Sequence, residues 1–120
     1  MKSYGGVKHK LTFKSLPQVM KELGHTQIDL LKFDIEGSEW ELFETQVLNA
    51  NMALPRQLSF ELHAEGASKH FIPKELVRGK NRTVVNKLFL KLFDLGYRVL
   101  QMEYNIGNYN CAEFSMVLIA

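Results

Sequence analysis

The sequence is poor in cysteine, in net charge and in long apolar runs, and each shortage excludes a class of function. Cys111 is the single cysteine, which excludes an intrachain disulfide and a zinc site built from several cysteines. The net charge is only +2 and the basic residues are scattered, so nothing indicates a nucleic-acid partner. The apolar runs, such as residues 114–120, are too short to span a bilayer. What remains is typical of one globular domain of 120 residues, 46% hydrophobic and 23% charged.

Residues 28–35 are the stretch around which the rest of the chain is predicted to fold. They are mostly apolar without a clean alternation, which is typical of a strand covered on both faces in a parallel sheet. Gly37 then permits a sharp turn, because a residue without a Cβ reverses the chain at little steric cost. Asp34 and Glu36 are thereby placed at the carboxyl end of a central strand, where open α/β sheets bind their ligands.

A helix is predicted to follow this turn from about Glu39, because Ser38 and Glu41 have the spacing of a capping box. In this interpretation Glu39 and Glu41 only stabilise the positive end of the helix dipole. Trp40 lies at helical spacing with later apolar residues and is predicted to be part of the core.

Helices and strands alternate along the rest of the chain. Ser15 has the spacing of a helix cap, and Asn81 fits either a helix start or a glycosylation sequon. Residues 1–13 are predicted to form a loop that can include a short strand at 10–13, and residues 67–80 a polar loop. The predicted helices span 16–23, 39–48 and 81–95, with Phe89 and Phe93 facing the core, and the predicted strands span 28–34, 57–62, 97–104 and 112–119.

Strands that alternate with helices predict a parallel sheet with right-handed crossovers. The last two strands are joined by a turn-rich connector that is short enough for an antiparallel hairpin. The sequence therefore predicts an α/β fold with a mixed sheet and a closing antiparallel hairpin. Cys111 is placed in the connector, with nothing near it in sequence to activate its thiol.

Residues 28–39, IDLLKFDIEGSE, resemble the IDLLKIDVEGAE signature of FkbM-type methyltransferases. The segment FELH at 60–63 and the closing GYRVLQMEYN and CAEFSMVLI segments resemble the animal, methyltransferase-like branch of that family, so the likeness covers nearly the whole chain from about Leu11. The resemblance implies a class I enzyme that transfers a methyl group from S-adenosylmethionine.

In that family seven strands lie in the order 3-2-1-4-5-7-6, with strand seven antiparallel. The resemblance implies that residues 1–120 are one partial domain: residues 1–13 a loop or linker, and residues 14–120 strands four to seven of a Rossmann-like three-layer sandwich. The last predicted strand would then lie between the second and the third. Strands one to three, with the glycine-rich cofactor loop and the acidic ribose ligand, would be absent. S-adenosylmethionine is thus expected in a complete parent enzyme, and this segment alone is expected to be inactive.

Asp34 is the leading candidate for a catalytic residue. The resemblance implies that its position borders the transferred methyl group, where a carboxylate can orient the nucleophile, act as a base or hold a metal. A carboxylate that only caps the following turn is the alternative. Asp34 and Glu36 are also the candidates for cofactor contacts, and Glu36 fits a simple helix-dipole role equally well.

Glu61 and His63 end the neighbouring strand and are candidate catalytic residues, because adjacent strand ends share one crevice. A histidine beside a carboxylate suits general-base catalysis on a hydroxyl group, and a structural histidine is the alternative. His9, His25 and His70 show no ligand spacing, so the sequence predicts no metal site.

Two functions remain open from the sequence. The first is methyl transfer to a small molecule or other acceptor that bears a hydroxyl group. The second is a non-catalytic interaction module, because without strands one to three the strand at 28–34 becomes a sheet edge. An apolar edge of that kind pairs readily with another chain or with a second copy.

Overall fold

The computed structural model describes residues 2–4, 7–49, 52–67, 72–107 and 110–119, with side chains described from Lys10 onward. Its helices and strands follow one another in the order expected of an α/β chain. They are β1 (Lys2–Tyr4), β2 (Val7–His9), α1 (Leu16–Leu23), β3 (Leu30–Phe33), α2 (Glu39–Leu42) with a π-helical turn (Phe43–Val47), β4 (Gln57–His63), α3 (Lys74–Val77), α4 (Arg82–Asp94), β5 (Tyr97–Tyr104) and β6 (Cys111–Leu118).

Four strands form one mixed sheet in the order β3-β4-β6-β5. Strand β3 runs parallel to β4, and β6 is antiparallel to both of its neighbours, β4 and β5. The predicted position of the last strand, between the second and the third, is therefore confirmed. Strands β1 and β2 pair separately as an antiparallel ribbon.

The core is built on three phenylalanines that lie side by side across this sheet. Phe33 pairs in register with Phe60, and Phe60 with Phe114. Phe43 from the π-helical turn meets the Phe60 ring edge-on at 5.0 Å, and Phe89 from α4 lies 4.6 Å from the Phe114 ring. Because both helices contribute to this one aromatic cluster, both pack on the same face of the sheet. Glu61 lies on the opposite face.

The two longer helices begin and end where the sequence predicts. The Ser15 hydroxyl accepts the N–H of Gln18, and Gly24 ends α1 in the left-handed conformation. The side chain of Asn81 accepts the N–H of Val84, so the helix-start interpretation of Asn81 is confirmed.

Helix α2 widens after one turn, because the N–H of Leu48 bonds to the carbonyl of Phe43, five residues earlier. Phe43 and Val47 are both buried by this wide turn, with exposed fractions of 0% and 1%. The single regular helix predicted for 39–48 is wrong in this respect. A period of 3.6 residues does not distinguish a π-turn from an α-turn over so short a segment.

Three further sequence predictions are wrong near the start of the chain. Residues 1–13 are not a simple loop, because β1 and β2 pair there, and residues 10–13 form no strand. Of the four residues of β3 only Phe33 is buried, and Leu30 is 56% exposed. Strand β3 is therefore not covered on both faces. It is also the edge strand of the four-stranded sheet.

Other corrections concern single side chains and one loop. Ser38 precedes α2 but makes no capping hydrogen bond with its hydroxyl. Phe93 is 53% exposed and lies under the Arg98 guanidinium, 3.5 Å from its ring centroid, instead of in the core. Cys111 is buried as the first residue of β6, and the polar loop 67–80 contains α3.

None of the helices in the described ranges has the length and apolar character that a membrane-crossing helix requires.

Candidate functional site

The candidate site lies where β3 and β4 end side by side. Asp34 directly follows β3, and Glu61 and His63 lie two residues apart on the same face at the end of β4. Because the two strands are parallel, their carboxyl ends meet at the same edge of the sheet. The structure thus brings together Asp34, Glu36, Glu61 and His63, the four residues that the sequence singled out; their roles stay predictions.

The turn after β3 places two consecutive residues in left-handed backbone conformations. Glu36 has φ of 54° and Gly37 has φ of 103°. The value at Gly37 suits glycine, and a Cβ there would lie 3.1 Å from the Cβ of Leu76. A non-glycine residue at φ of 54° is uncommon and stores strain, which is frequent at functional sites.

Glu39 holds this turn together from inside the protein. Its side chain is fully buried, and its two carboxylate oxygens accept the N–H groups of Ile35 at 3.1 Å and Gly37 at 2.9 Å. Its Oε1 also lies 2.9 Å from Nδ1 of His63. The prediction that Glu39 acts only on the helix dipole is therefore wrong, since Glu39 links the turn to β4.

His63 is oriented by contacts on its ring and on its backbone. Its side chain is 3% exposed, and Nδ1 donates to Glu39 because that carboxylate already accepts two backbone N–H groups. The indole N–H of Trp40 donates to the His63 carbonyl at 2.7 Å. The ring nitrogen Nε2 is left facing two carboxylates, with Glu36 Oε2 at 3.5 Å and Glu61 Oε1 at 3.8 Å.

The acidic surroundings change the protonation of this histidine. Burial alone would lower the pKa of His63, because a buried imidazolium loses its hydration. The hydrogen bond to Glu39 and the charges of Glu39, Glu61 and Glu36 more than offset burial, so the pKa of His63 is raised above its usual value.

Asp34 and Glu61 face each other across the crevice, close enough for the protonated form of Asp34 to donate a hydrogen bond to Glu61. Partial burial, followed by a hydrogen bond to the Glu61 carboxyl and repulsion from Glu61 and Glu36, raises the pKa of Asp34 to about 6. Burial would also raise the pKa of Glu61, but hydrogen bonds from Cys111, Asp34 and Asn105 lower it overall. The proton of that hydrogen bond therefore belongs to Asp34.

Three residues that the sequence analysis missed complete the site. They are Glu39, described above, Asn105, whose Nδ2 donates to Glu61 at 3.3 Å, and Cys111, which is paired in register with His63. Asn105 and Cys111 come from the ends of β5 and β6, far from β3 in sequence. Only the confirmed strand order could have indicated them. His25 is exposed and is not one of the site residues. The side chains of His9 and His70 lie outside the described residues.

The donor atoms of the site are close enough to hold a cation. One oxygen each from Asp34 and Glu36 and one ring nitrogen of His63 lie within 4.8 Å of one another, as do donors of Glu61, His63 and Cys111. Chemically the arrangement can therefore move a proton between carboxylates, orient a hydroxyl group or bind a divalent ion.

Two grooves lie apart from these carboxylates. One, of about 460 Å³, lies between α4 and β5 and includes Phe93 and Arg98 in its lining. The other, of about 570 Å³, lies between α4 and the β5–β6 hairpin and reaches Cys111. Neither is lined by Asp34, Glu36 or Glu61, so the carboxylate cluster itself defines the candidate site.

Comparison with known proteins places the chain in a family. Residues 6–99 match the methyltransferase FkbM domain family. Over 50 residues, 42% of the chain, the sequence is 38% identical to probable methyltransferase-like protein 24 of Rattus norvegicus and of Homo sapiens. The matched segment spans 14% of the length of each of those relatives. With most of its length matched by the family, the chain belongs to the FkbM methyltransferase domain family.

Proposed function

We propose that this chain forms the acceptor side of a methyltransferase that uses S-adenosylmethionine and methylates a hydroxyl oxygen. The observation that carries the proposal is the convergence of Asp34, Glu61 and His63 at the ends of two adjacent parallel strands. Membership of the FkbM family supports methyl transfer as the reaction class.

The strand order supports a Rossmann-like layout for the complete enzyme. Strands β3, β4, β6 and β5 have the order and directions of strands four, five, seven and six in the sheet that the family resemblance implies. The sequence has no G-x-G turn, so the loop that approaches the cofactor belongs to a segment outside this chain.

The residues present fit one side of the cofactor. Glu36 Oε2 is buried and has no hydrogen-bond partner within the described residues, so it can accept from a cofactor hydroxyl or ammonium group. When bound, S-adenosylmethionine supplies a methyl group activated by a positively charged sulfur. The exposed carboxylate of Asp34 favours positive charge at this crevice.

Asp34 and Glu61 are proposed to act directly on the acceptor. An acceptor hydroxyl in the crevice would donate its hydrogen bond to Asp34, which aligns the oxygen and takes its proton as the oxygen becomes nucleophilic. Glu61, fixed by Asn105, accepts a hydrogen bond from Asp34 once Asp34 has taken that proton. His63, fixed by Glu39, closes the floor of the crevice.

Substitution of Asp34 tests this proposal in a form of the protein that carries a cofactor loop. Asp34→Asn preserves the shape of the side chain but removes its charge, and kcat is expected to fall about a hundredfold. The melting temperature should change little, because Asp34 is exposed. Methyl transfer is measured with methyl-labelled S-adenosylmethionine against acceptors that carry a hydroxyl or an amine.

Glu41→Gln is the matched control, because Glu41 is an exposed acid on α2, the helix that follows the Asp34 turn. It should retain the parent activity. Equal activity of the two variants would refute the role of Asp34, and transfer to amines alone would refute the acceptor class.

A further inference from the structure

We propose that Glu36, His63 and Asp34 bind one divalent transition-metal cation at the turn between β3 and α2. The sequence predicted no metal site, because Asp34 and Glu36 are separated from His63 by more than twenty residues and only the parallel pairing of β3 and β4 brings the three together. The proposal goes beyond methyl transfer and does not depend on it, since a cation can bind without cofactor or acceptor.

The first observation is a ring nitrogen of a buried histidine that faces two carboxylates. The His63 side chain is 3% exposed, and its Nδ1 is committed to Glu39. Its Nε2 points at Glu36 Oε2 and Glu61 Oε1, at 3.5 Å and 3.8 Å. Both distances are too long for an effective hydrogen bond to either carboxylate.

The second observation is the unsatisfied oxygen that faces this nitrogen. Glu36 Oε2 is buried and lacks a hydrogen-bond partner among the residues that the structure describes. Leaving such an oxygen unpaired is costly, because it has lost its hydration without gaining a hydrogen bond. The left-handed backbone of Glu36, at φ of 54°, adds strain to the same residue. A ligand that binds both Oε2 and Nε2 would offset these two costs.

The spacing of the atoms matches ligands around one ion. Bonds from a divalent cation to nitrogen or oxygen are about 2.0 to 2.2 Å long, so neighbouring ligand atoms are about 3 to 3.5 Å apart. The separation of Nε2 and Glu36 Oε2 is 3.5 Å. An Asp34 oxygen lies within 4.8 Å of both, and rotation of this exposed side chain brings it into range.

The contact between Glu39 and His63 is the arrangement that metal-binding histidines require. Such histidines commonly donate their second ring N–H to a carboxylate, which fixes the ring and leaves the other nitrogen to bind the ion. Here Nδ1 donates to Glu39 at 2.9 Å, and Nε2 is the nitrogen left over. Glu39 accepts two backbone N–H groups from the turn that carries Glu36, so it positions two of the three ligands together.

The local charge also favours a cation. The carboxylates of Asp34, Glu36, Glu39 and Glu61 surround His63, and no lysine or arginine in the described part of the chain forms an ion pair with any of them. One imidazole with two carboxylates suits Mn²⁺ or Zn²⁺ better than Mg²⁺ or Ca²⁺, because the two hard cations prefer oxygen ligands only.

The test is a titration of the 120-residue chain with Mn²⁺, followed by electron paramagnetic resonance and by calorimetry. The chain should bind one equivalent, and pulsed resonance should show coupling of the bound Mn²⁺ to a ¹⁴N nucleus. Glu36→Gln and Asp34→Asn should each raise Kd at least about tenfold. Ca²⁺ should compete poorly for the site.

Glu41→Gln is the control for general loss of acidic charge and should change Kd less than twofold, a limit set at well below the about tenfold effect of losing a ligand. Both ligand variants are at exposed or half-buried positions, and circular dichroism checks that they fold. The proposal is overturned if the folded chain takes up no Mn²⁺ at millimolar concentration, if the control weakens binding as much as Glu36→Gln, or if no nitrogen coupling appears. Any of these results would leave the proposed methyl transfer untouched, since its assay measures product.

Discussion

Glu39 shows how a fully buried charge can be retained at one position of a small domain. Burying an unpaired carboxylate is very costly, and hydrogen bonds to that group are what make the burial possible. Glu39 receives three such bonds, from Ile35, Gly37 and His63. Two of these partners lie in the turn after β3 and the third lies on β4, so one side chain sets the geometry of the turn and of the histidine.

Replacement of Glu39 is expected to destabilise the protein strongly. Glu39→Ala leaves two backbone N–H groups and the His63 ring without their acceptor, and the free energy of unfolding should fall by about 3 to 5 kcal/mol. Glu41→Ala, on the exposed side of the same helix, should change it by less than about 0.5 kcal/mol. Urea denaturation measures both, and similar losses for the two variants would contradict this role for Glu39.

Tyr97 gives a prediction for alkaline pH. Its hydroxyl is fully buried and donates to the carbonyl of Pro55 at 2.6 Å, and burial raises the pKa of Tyr97 to about 12 from 10.0. A raised pKa means that Tyr97 stabilises the fold fully below pH 10. This stabilisation is lost as the pH rises from 10 to about 12.

A spectrophotometric titration of the phenols measures this effect. The chain has four tyrosines, and Tyr97→Phe should remove the ionisation at about pH 12. It should also lower the free energy of unfolding by about 1 to 3 kcal/mol at neutral pH, because the Pro55 carbonyl loses its donor. An unchanged titration curve in the variant would contradict the prediction.

At the scale of single residues, the sequence indicated the four central side chains but not the groups that hold them. Asp34, Glu36, Glu61 and His63 follow from the rule that strand ends converge. Glu39 was missed because its position in the first helical turn has an ordinary explanation in the helix dipole. Burial decides between the two explanations, and burial depends on packing that a local pattern does not contain.

At the scale of elements, β3 is an exposed edge of the sheet. It pairs with β4 on one side and is the last strand of the described sheet on the other. Its residues Leu30 and Leu31 are exposed and half-buried, and no proline or bulge interrupts them. An apolar edge of this kind pairs with other strands, and we propose self-association of the chain through β3.

Leu30→Lys tests the edge directly. A lysine on an edge strand disfavours pairing between copies, so the variant should be monomeric at concentrations where the parent chain associates. Leu90→Lys is the control, because Leu90 is 63% exposed on α4, away from β3. Light scattering coupled to size exclusion gives the masses. Association that Leu90→Lys abolishes and Leu30→Lys leaves intact would locate the contact on α4 instead.

Most elements could be predicted from the sequence because each has its own local signal. Ser15 and Gly24 mark both ends of α1, and Asn81 marks the start of α4. The wide turn at Phe43–Val47 has no such signal, since its extra residue is required only by packing against Phe33 and Phe60. The pairing of β1 with β2 was missed because neither strand, at three residues, shows a period.

At the scale of the whole molecule, the order of the strands was predictable but the exposure of the sheet was not. Alternating helices and strands indicated a mixed sheet, and the family resemblance gave its order. The apolar run at 28–35 implied burial on both faces, yet Leu30 and Ile35 are 56% and 41% exposed. The apolar character of residues 28–35 would be explained if further strands covered them in a longer protein.

We therefore expect that the 120-residue chain alone does not bind S-adenosylmethionine in the micromolar range. The residues proposed to face the cofactor, Asp34 and Glu36, offer few polar contacts, and these do not offset the entropy lost by a flexible ligand. Isothermal titration measures the affinity. A micromolar Kd would mean that this chain carries a complete cofactor site. Recovery of binding on addition of a segment that supplies strands one to three of the complete family fold would support the proposal that those strands carry the rest of the cofactor site.

The hydrogen bond from Trp40 to His63 has a practical consequence for measurements of binding at the site. Trp40 is the single tryptophan, is 4% exposed, and touches the carbonyl of the residue whose ring forms the floor of the site. The ammonium group of Lys80 lies 5.0 Å from its ring centroid. Indole fluorescence therefore comes from one place, at the junction of α2 and β4. A change in its emission reports on the site itself, without any added label.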